Sequence, residues 1–179
     1  LLSLCNRLEY ARQRRMETEN EEKMYHLAYM DRLTNLPNRA WVDDCLDKKM
    51  EKSDKYIMLL LDLDNFKYVN DTFGHSIGNE LLKSVVTRFE KLNDKIEVIA
   101  RTGGDEYMFI TTAYDKDTVT EFAQRLLYEL DKGFEIKNIS FASSASIGIA
   151  AFPEDGSSVQ ELQKAADTAL NKAKLLGRK

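Results

Sequence analysis

Residues 101–110 read RTGGDEYMFI, and the way this stretch turns decides the fold. Tyr107, Met108, Phe109 and Ile110 are strand formers, and so are Val98 and Ile99 upstream. Gly103-Gly104 between two such runs signals a β-hairpin, because glycine reaches positive φ without steric cost. Strands are therefore predicted at about 96–101 and 107–112. A second apolar run, KYIMLLLDLDNF (55–66), reads as a strand buried on both faces that ends in acids. Helical periodicity covers 40–52, then 78–92 through Leu81, Leu82, Val85, Val86 and Phe89, then 116–130 through Phe122, Leu126 and Leu130. Two strands, 134–136 and 140–152, flank Lys137-Asn138. Ser157 or Ser158 caps a last helix that runs to about Leu176. The order is α–β–α–β–β–α–β–β–α. It implies an α/β (α+β) fold with a mixed central sheet covered by helices, not a doubly wound parallel one.

Ahead of this block, residues 1–30 carry Leu1, Leu4, Leu8 and Ala11 at coiled-coil-like spacing. The charged stretch RQRRMETENEEK interrupts the pattern before Met24, Leu27 and Met30 resume it. The reading is one long exposed helix, either a weak coiled coil or a solvated arm. Two units are expected: a helical linker at 1–30 and a catalytic domain at 31–179. The 179-residue chain starts at Leu1 rather than Met, as an excised fragment would, with upstream parts missing. Its composition, 43% hydrophobic and 31% charged, suits a soluble globular domain with a sizeable core. The formal charge of -4 provides no general basic field, so no nucleic-acid partner is expected. Cys5 and Cys45 lie outside any metal-ligand spacing and read as reduced thiols in a cytoplasmic protein. No apolar stretch is long enough to span a bilayer.

The acids carry the chemistry. Asp62 and Asp64 end a fully apolar strand, and residues i and i+2 of a strand share a face. A carboxylate there is costly to desolvate unless it is paired or binds a cation. One such acid alone would be read as the cap of the following turn. If the hairpin strands flank this strand, Asp105 comes close to Asp62. Hard carboxylate oxygens with no His or Cys nearby select Mg²⁺ or Mn²⁺ over zinc, which suggests metal-assisted phosphoryl or nucleotidyl transfer. Downstream, NFKYVNDTFGHSIGNELL supplies Lys67, Asn70, His75 and Asn79 through a loop and helix start. The amides of Asn65 and Phe66 could receive phosphate if that turn opens a helix. Lys174 and Arg178 sit one helical turn apart and read, on their own, as an ordinary solvated helix end.

Five segments together resemble the GGDEF domain, the diguanylate cyclase catalytic domain of bacterial signalling. They are DRLTNLPNRA (31–40), DLDNFKYVNDTFGHSIGNELL (62–82), RTGGDEY (101–107), SIGIA (146–150) and ADTALNKAKLLGR (166–178), in the family's order. The resemblance implies a fold related to nucleotidyl cyclase and polymerase palm domains. It implies condensation of two GTP molecules into cyclic di-GMP, with release of two pyrophosphates, by two domains meeting head to head. It implies two Mg²⁺ ions per site, with Mn²⁺ an acceptable substitute, held by Asp62, the carbonyl of Leu63 and Asp105. Asp105, helped by Glu106, would deprotonate the attacking hydroxyl. Lys67, Lys174, Arg178 and the amides of Asn65 and Phe66 would hold phosphates, and Asn70, His75 and Asn79 would line the nucleotide end. A side chain at Gly103 or Gly104 would block the α-phosphate's approach. A sensory domain is expected upstream in the parent protein, which a membrane anchor could carry.

Three positions depart from the family pattern. Tyr107 replaces the usual Phe, and its hydroxyl needs a partner. The family's product-binding Arg-x-x-Asp reads Asp94-Lys95-Ile96-Glu97 here, so no product inhibition is expected through it. Asn79 stands where the family has Asp: either this weakens guanine recognition and admits ATP, or a water or a shifted side chain preserves the GTP preference. Two other readings compete: a catalytically inactive GTP-binding module that regulates a neighbour, and a nucleic-acid polymerase palm. The intact Asp62, Lys67, Gly103, Gly104, Asp105 and Glu106 disfavour the first, and the acidic balance disfavours the second.

Overall fold

The computed structural model of the chain describes residues 2–92, 96–112 and 115–177, with side chains from residue 9 onward. A 28-residue helix, α1 (Leu2–Tyr29), leads into α2 (Arg39–Met50) through the predicted turn. Asn38 caps α2 by accepting a hydrogen bond from the Trp41 amide at 3.0 Å. Then follow β1 (Tyr56–Leu63), α3 (Phe66–Phe73), α4 (His75–Glu90), β2 (Ile96–Arg101), β3 (Glu106–Thr111) and α5 (Lys116–Asp131). A small hairpin, β4 (Phe134–Ile136) and β5 (Ile139–Phe141), precedes β6 (Ala145–Phe152) and α6 (Val159–Leu175). Ser158 caps α6, accepting from the Glu161 amide at 3.2 Å.

The central sheet runs β2-β3-β1-β6, and all three pairings are antiparallel. A mixed sheet was expected because helices separate the strands. Here each helical crossover skips a position, so strands that run the same way are never neighbours. Alternation along β1 then divides the core in two. Ile57, Leu59, Leu61 and Leu63 face one cluster with Leu81, Leu82, Val85 and Phe89 of α4 and Leu126 and Leu130 of α5. Tyr56 and Met58 face the other, with Val42, Leu46 and Met50 of α2 and Leu162 and Ala166 of α6.

Two segments differ from the sequence reading. The stretch after Asp64 is a helix of its own, α3, separated from α4 by Gly74 at φ 84° and ψ 158°, a backbone suited to glycine. The run 140–152 is broken at 142–144, so β5 belongs to the small hairpin and β6 to the central sheet. Lys137 and Asn138 form that hairpin's turn, at φ 50° and 65°. The buried Tyr107 hydroxyl reaches the Leu82 carbonyl at 3.5 Å, a long hydrogen bond.

Gly148 explains how α6 is placed. A Cβ at this position would lie 2.1 Å from the Ala166 carbonyl oxygen and 2.4 Å from the Leu170 nitrogen, so helix and strand backbones touch here. Gly148→Ala must push α6 off the sheet. It should cost about 1–3 kcal/mol of stability, read as a lowered denaturant midpoint; an unchanged midpoint would contradict this packing.

Candidate active site

The register of three strands builds the site. Asp62 lies opposite Glu106 of β3 on one side and Ser146 of β6 on the other. Directly opposed residues share a sheet face, so Asp62 and Glu106 point together toward α6. Asp105, one residue before β3, accepts a hydrogen bond from the Leu63 amide through its carbonyl at 3.1 Å. The end of β1 and the start of β3 are thereby locked side by side, and Asp62, Leu63, Asp105 and Glu106 come together as expected. From above, the Lys174 ammonium meets Asp62 Oδ2 at 2.8 Å.

The electrostatics follow from this crowding. Burial, then the charge of Asp62, raises the Asp105 carboxyl above its ordinary value, against the lowering influence of its own backbone amide, Lys174 and Arg101. Burial, then Asp62 and Asp105, likewise raises Glu106. Among the described residues, no three His, Cys, Asp or Glu side chains form a ready-made metal cage. The donor set nonetheless fits Mg²⁺, which is usually held by one or two carboxylates with waters and substrate phosphates. The carboxylates are hard oxygens, they repel one another, and a cation already stands among them as Lys174.

Asp64, the other acid of the pair, is turned elsewhere. Its two oxygens accept hydrogen bonds from Ser144 (2.8 Å) and from the buried Ser146 (3.1 Å), and its amide donates to the Ser144 carbonyl at 2.8 Å. It ties the end of β1 to the start of β6 just where Asn65 enters the left-handed region at φ 58° and α3 begins. Lys67 is exposed on α3, and Phe66 is buried beneath it. Asn70 packs over Gly78, where a Cβ would lie 2.0 Å from Asn70 Oδ1. His75 and Asn79 are exposed in the first two turns of α4, beside this contact. Arg178, Asp94 and Lys95 lie outside the described residues, while Glu97 accepts from Thr112 at 3.4 Å.

The glycines need a correction. Neither Gly103 nor Gly104 has a positive φ, so the hairpin does not require glycine for its backbone. At Gly103 a Cβ would lie 2.6 Å from Glu106 Oε2, so this glycine leaves room for the Glu106 side chain. At Gly104 a Cβ would meet nothing within 4 Å, so the fold itself does not ask for glycine there.

Sequence reading also missed an arginine. Arg101 donates to Asp31 Oδ1 at 2.8 Å and to the Gly104 carbonyl at 2.7 Å, while its amide donates to the Pro37 carbonyl at 2.8 Å. One side chain thus joins the exit of α1 to the turn that carries Asp105. Burial opposes ionisation of Asp31, and hydrogen bonds from Thr34 and Arg101 overcome it and lower its carboxyl. Beside Glu106, a cavity of about 380 Å³ opens between α2 and α6, lined by Arg39, Gln163, Lys164 and Asp167 among others. None of Asn70, His75 and Asn79 reaches it.

The model of the family described as diguanylate cyclase, GGDEF domain, matches residues 28–179. The cyclic di-GMP phosphodiesterase PdeR of Escherichia coli (strain K12) is 37% identical over 164 residues, covering 90% of this chain and 25% of PdeR. The bifunctional diguanylate cyclase/cyclic di-GMP phosphodiesterase MucR of Pseudomonas aeruginosa is 36% identical over 160 residues, covering 87% and 23%. The chain therefore spans about a quarter of these relatives. The crystal structure of the coiled coil and GGDEF domain of DgcB from Caulobacter crescentus, in complex with c-di-GMP, superposes with a TM-score of 0.85. It shares 27% identity and covers 98% of this chain and 96% of that one. Among the described residues, no helix is long and apolar enough to cross a membrane.

The raised carboxyl of Asp105 gives a stability test. Its folded form holds the proton more tightly than the unfolded chain does, so its contribution to stability declines as pH rises through the raised value. In chelator-containing buffer, Asp105→Asn should raise the thermal midpoint at neutral pH, and the gain should shrink as pH falls through the carboxylate range. A midpoint lowered at neutral pH would contradict the cost of burying this carboxylate beside Asp62.

Proposed function

Because the chain belongs to the GGDEF-domain family of diguanylate cyclases, we propose that it condenses two GTP molecules into cyclic di-GMP and releases two pyrophosphates. Two copies would meet head to head, each holding one nucleotide. The observation that supports this most is the meeting of Asp62, Asp105 and Glu106 at one end of the sheet, under the ammonium of Lys174.

Asp105 acts as the base. Its raised affinity for a proton suits removal of hydrogen from the 3′-hydroxyl of the partner's nucleotide, with Glu106 beside it. The freed 3′-oxygen bonds to the α-phosphorus, the bond to pyrophosphate breaks, and Asp105 keeps the proton. Repeating the step from the other copy closes the ring. Asp62, the Leu63 carbonyl and Asp105 would hold two Mg²⁺, or Mn²⁺, which would offset charge on the phosphoryl oxygens. Lys67, Lys174, Arg178 and the first amides of α3, at Asn65 and Phe66, take the phosphates. Gly104 stays small so that the α-phosphate can approach the turn.

At the other end Asn70, His75 and Asn79 receive the base. An aspartate at position 79 would accept from two guanine N–H groups, whereas Asn offers one acceptor and one donor. The mismatched end costs about 1–3 kcal/mol with guanine and is complementary to adenine. Mixed cyclic dinucleotides are expected when ATP competes. With an acid at position 94 in place of the family's arginine, product does not clasp the domain there. GTP as substrate places the domain in the cytoplasm. An upstream sensory domain would act through α1, whose exit reaches the catalytic turn by way of Asp31 and Arg101.

Incubation with Mg²⁺ and equimolar GTP and ATP, with products identified by mass, tests this reading. Wild type should form cyclic dinucleotides, Asp105→Ala should form none while staying folded, and Asn79→Asp should shift the products toward cyclic di-GMP. GTP binding without any product would instead mark an inactive regulatory module. Cyclic di-GMP alone from wild type would remove the selectivity claim and leave the cyclase reading standing.

A further inference from the structure

The best-defined contact in the site joins a proposed phosphate ligand to a proposed metal ligand. Lys174 Nζ lies 2.8 Å from Asp62 Oδ2, with only 14% of the Asp62 side chain and 33% of the Lys174 side chain exposed. The contact is imposed from both sides. Asp62 is fixed between β3 and β6, and α6 is seated on β6 by backbone contact at Gly148. Leu170 is part of that contact, and Lys174 lies one helical turn beyond it. Lys174 also lowers both Asp105 and Glu106, while Arg101 acts on Asp105 alone, so Lys174 is the cation common to the three acids.

Resting on the cyclase reading above, we propose that Lys174 is an exchangeable counter-cation. In the nucleotide-free domain it neutralises Asp62, and it yields this place to the divalent ion when a triphosphate arrives to receive it.

Two arguments support the exchange. An ammonium and a divalent ion cannot both sit against Asp62 Oδ2 without strong like-charge repulsion. Lys174 also loses a largely buried ion pair when it leaves, unless another anion replaces Asp62. A triphosphate provides that anion within reach of the same flexible four-carbon stem. The consequence is cooperative loading: the ion alone must expel the lysine into water, whereas the ion with nucleotide hands it a new partner. The lysine thereby offsets part of the negative charge at the site before nucleotide binds.

The test uses Mn²⁺ binding to the full 179-residue chain without nucleotide, followed by paramagnetic resonance of the free ion. Lys174→Met should bind Mn²⁺ alone roughly tenfold or more tightly than wild type, within the usual range for coupled sites. Its GTP affinity in chelator should fall. Lys174→Arg, which keeps the charge, should bind the ion as wild type does. Lys174→Gln replaces Lys174→Met if the latter does not fold. Unchanged or weaker Mn²⁺ binding in the neutral variants overturns the exchange, and so does equal tightening in Lys174→Arg. If wild type still makes cyclic dinucleotide in that case, only the exchange falls. Absence of both product and nucleotide-dependent Mn²⁺ binding would remove the cyclase reading with it.

Discussion

Asp62 is held where an unbalanced carboxylate cannot rest quietly. It ends the central strand of a four-stranded sheet, flanked by Glu106 and Ser146 in register, with Asp105 locked beside it through the Leu63 amide. Apolar side chains fill both faces of β1 behind it, so the strand cannot slip to relieve the crowding without turning its core residues outward. The acids therefore stay together, and Asp105 and Glu106 hold their protons more tightly than free carboxyls do. The same crowding suits the proposed cations and the proposed base. Such local cost is what functional sites commonly carry.

Most of the supporting structure serves this end. Gly148 lets α6 lie against β6 and deliver Lys174. Asp64, clasped by two serines, closes the strand end and starts α3. Gly78 gives up its side chain so that Asn70 can pack at the proposed base end. Arg101 ties the turn that carries Asp105 to Asp31, two residues after α1 ends.

Much of this was legible in the order of residues. The apolar run before Asp62, the strand formers on either side of Gly103-Gly104 and the long amphipathic helices each carry a local pattern, and five ordered segments pointed to one family. What escaped the reading depends on partners far apart in the chain. The bonds from Ser144 and Ser146 to Asp64 span about eighty residues, and that of Arg101 to Asp31 spans seventy. No local periodicity announces them. Helix α3 was missed because eight residues give too few repeats, although Phe66, Val69 and Phe73 keep helical spacing and Gly74 marks the break. The hairpin's glycines were located correctly, but positive φ is not what places them: neither has it, and Gly103 makes room for the Glu106 side chain.

In the proposed reaction the carboxylates of Asp62 and Asp105 would share divalent ions beside a triphosphate. A crystal structure with Mg²⁺ and a non-reactive GTP analogue tests it most directly. Metal–oxygen distances of about 2.0–2.1 Å to both side chains are expected, with the Lys174 ammonium moved from Asp62 to phosphate. An analogue bound with Lys174 still on Asp62, and no ion between the two acids, would contradict it.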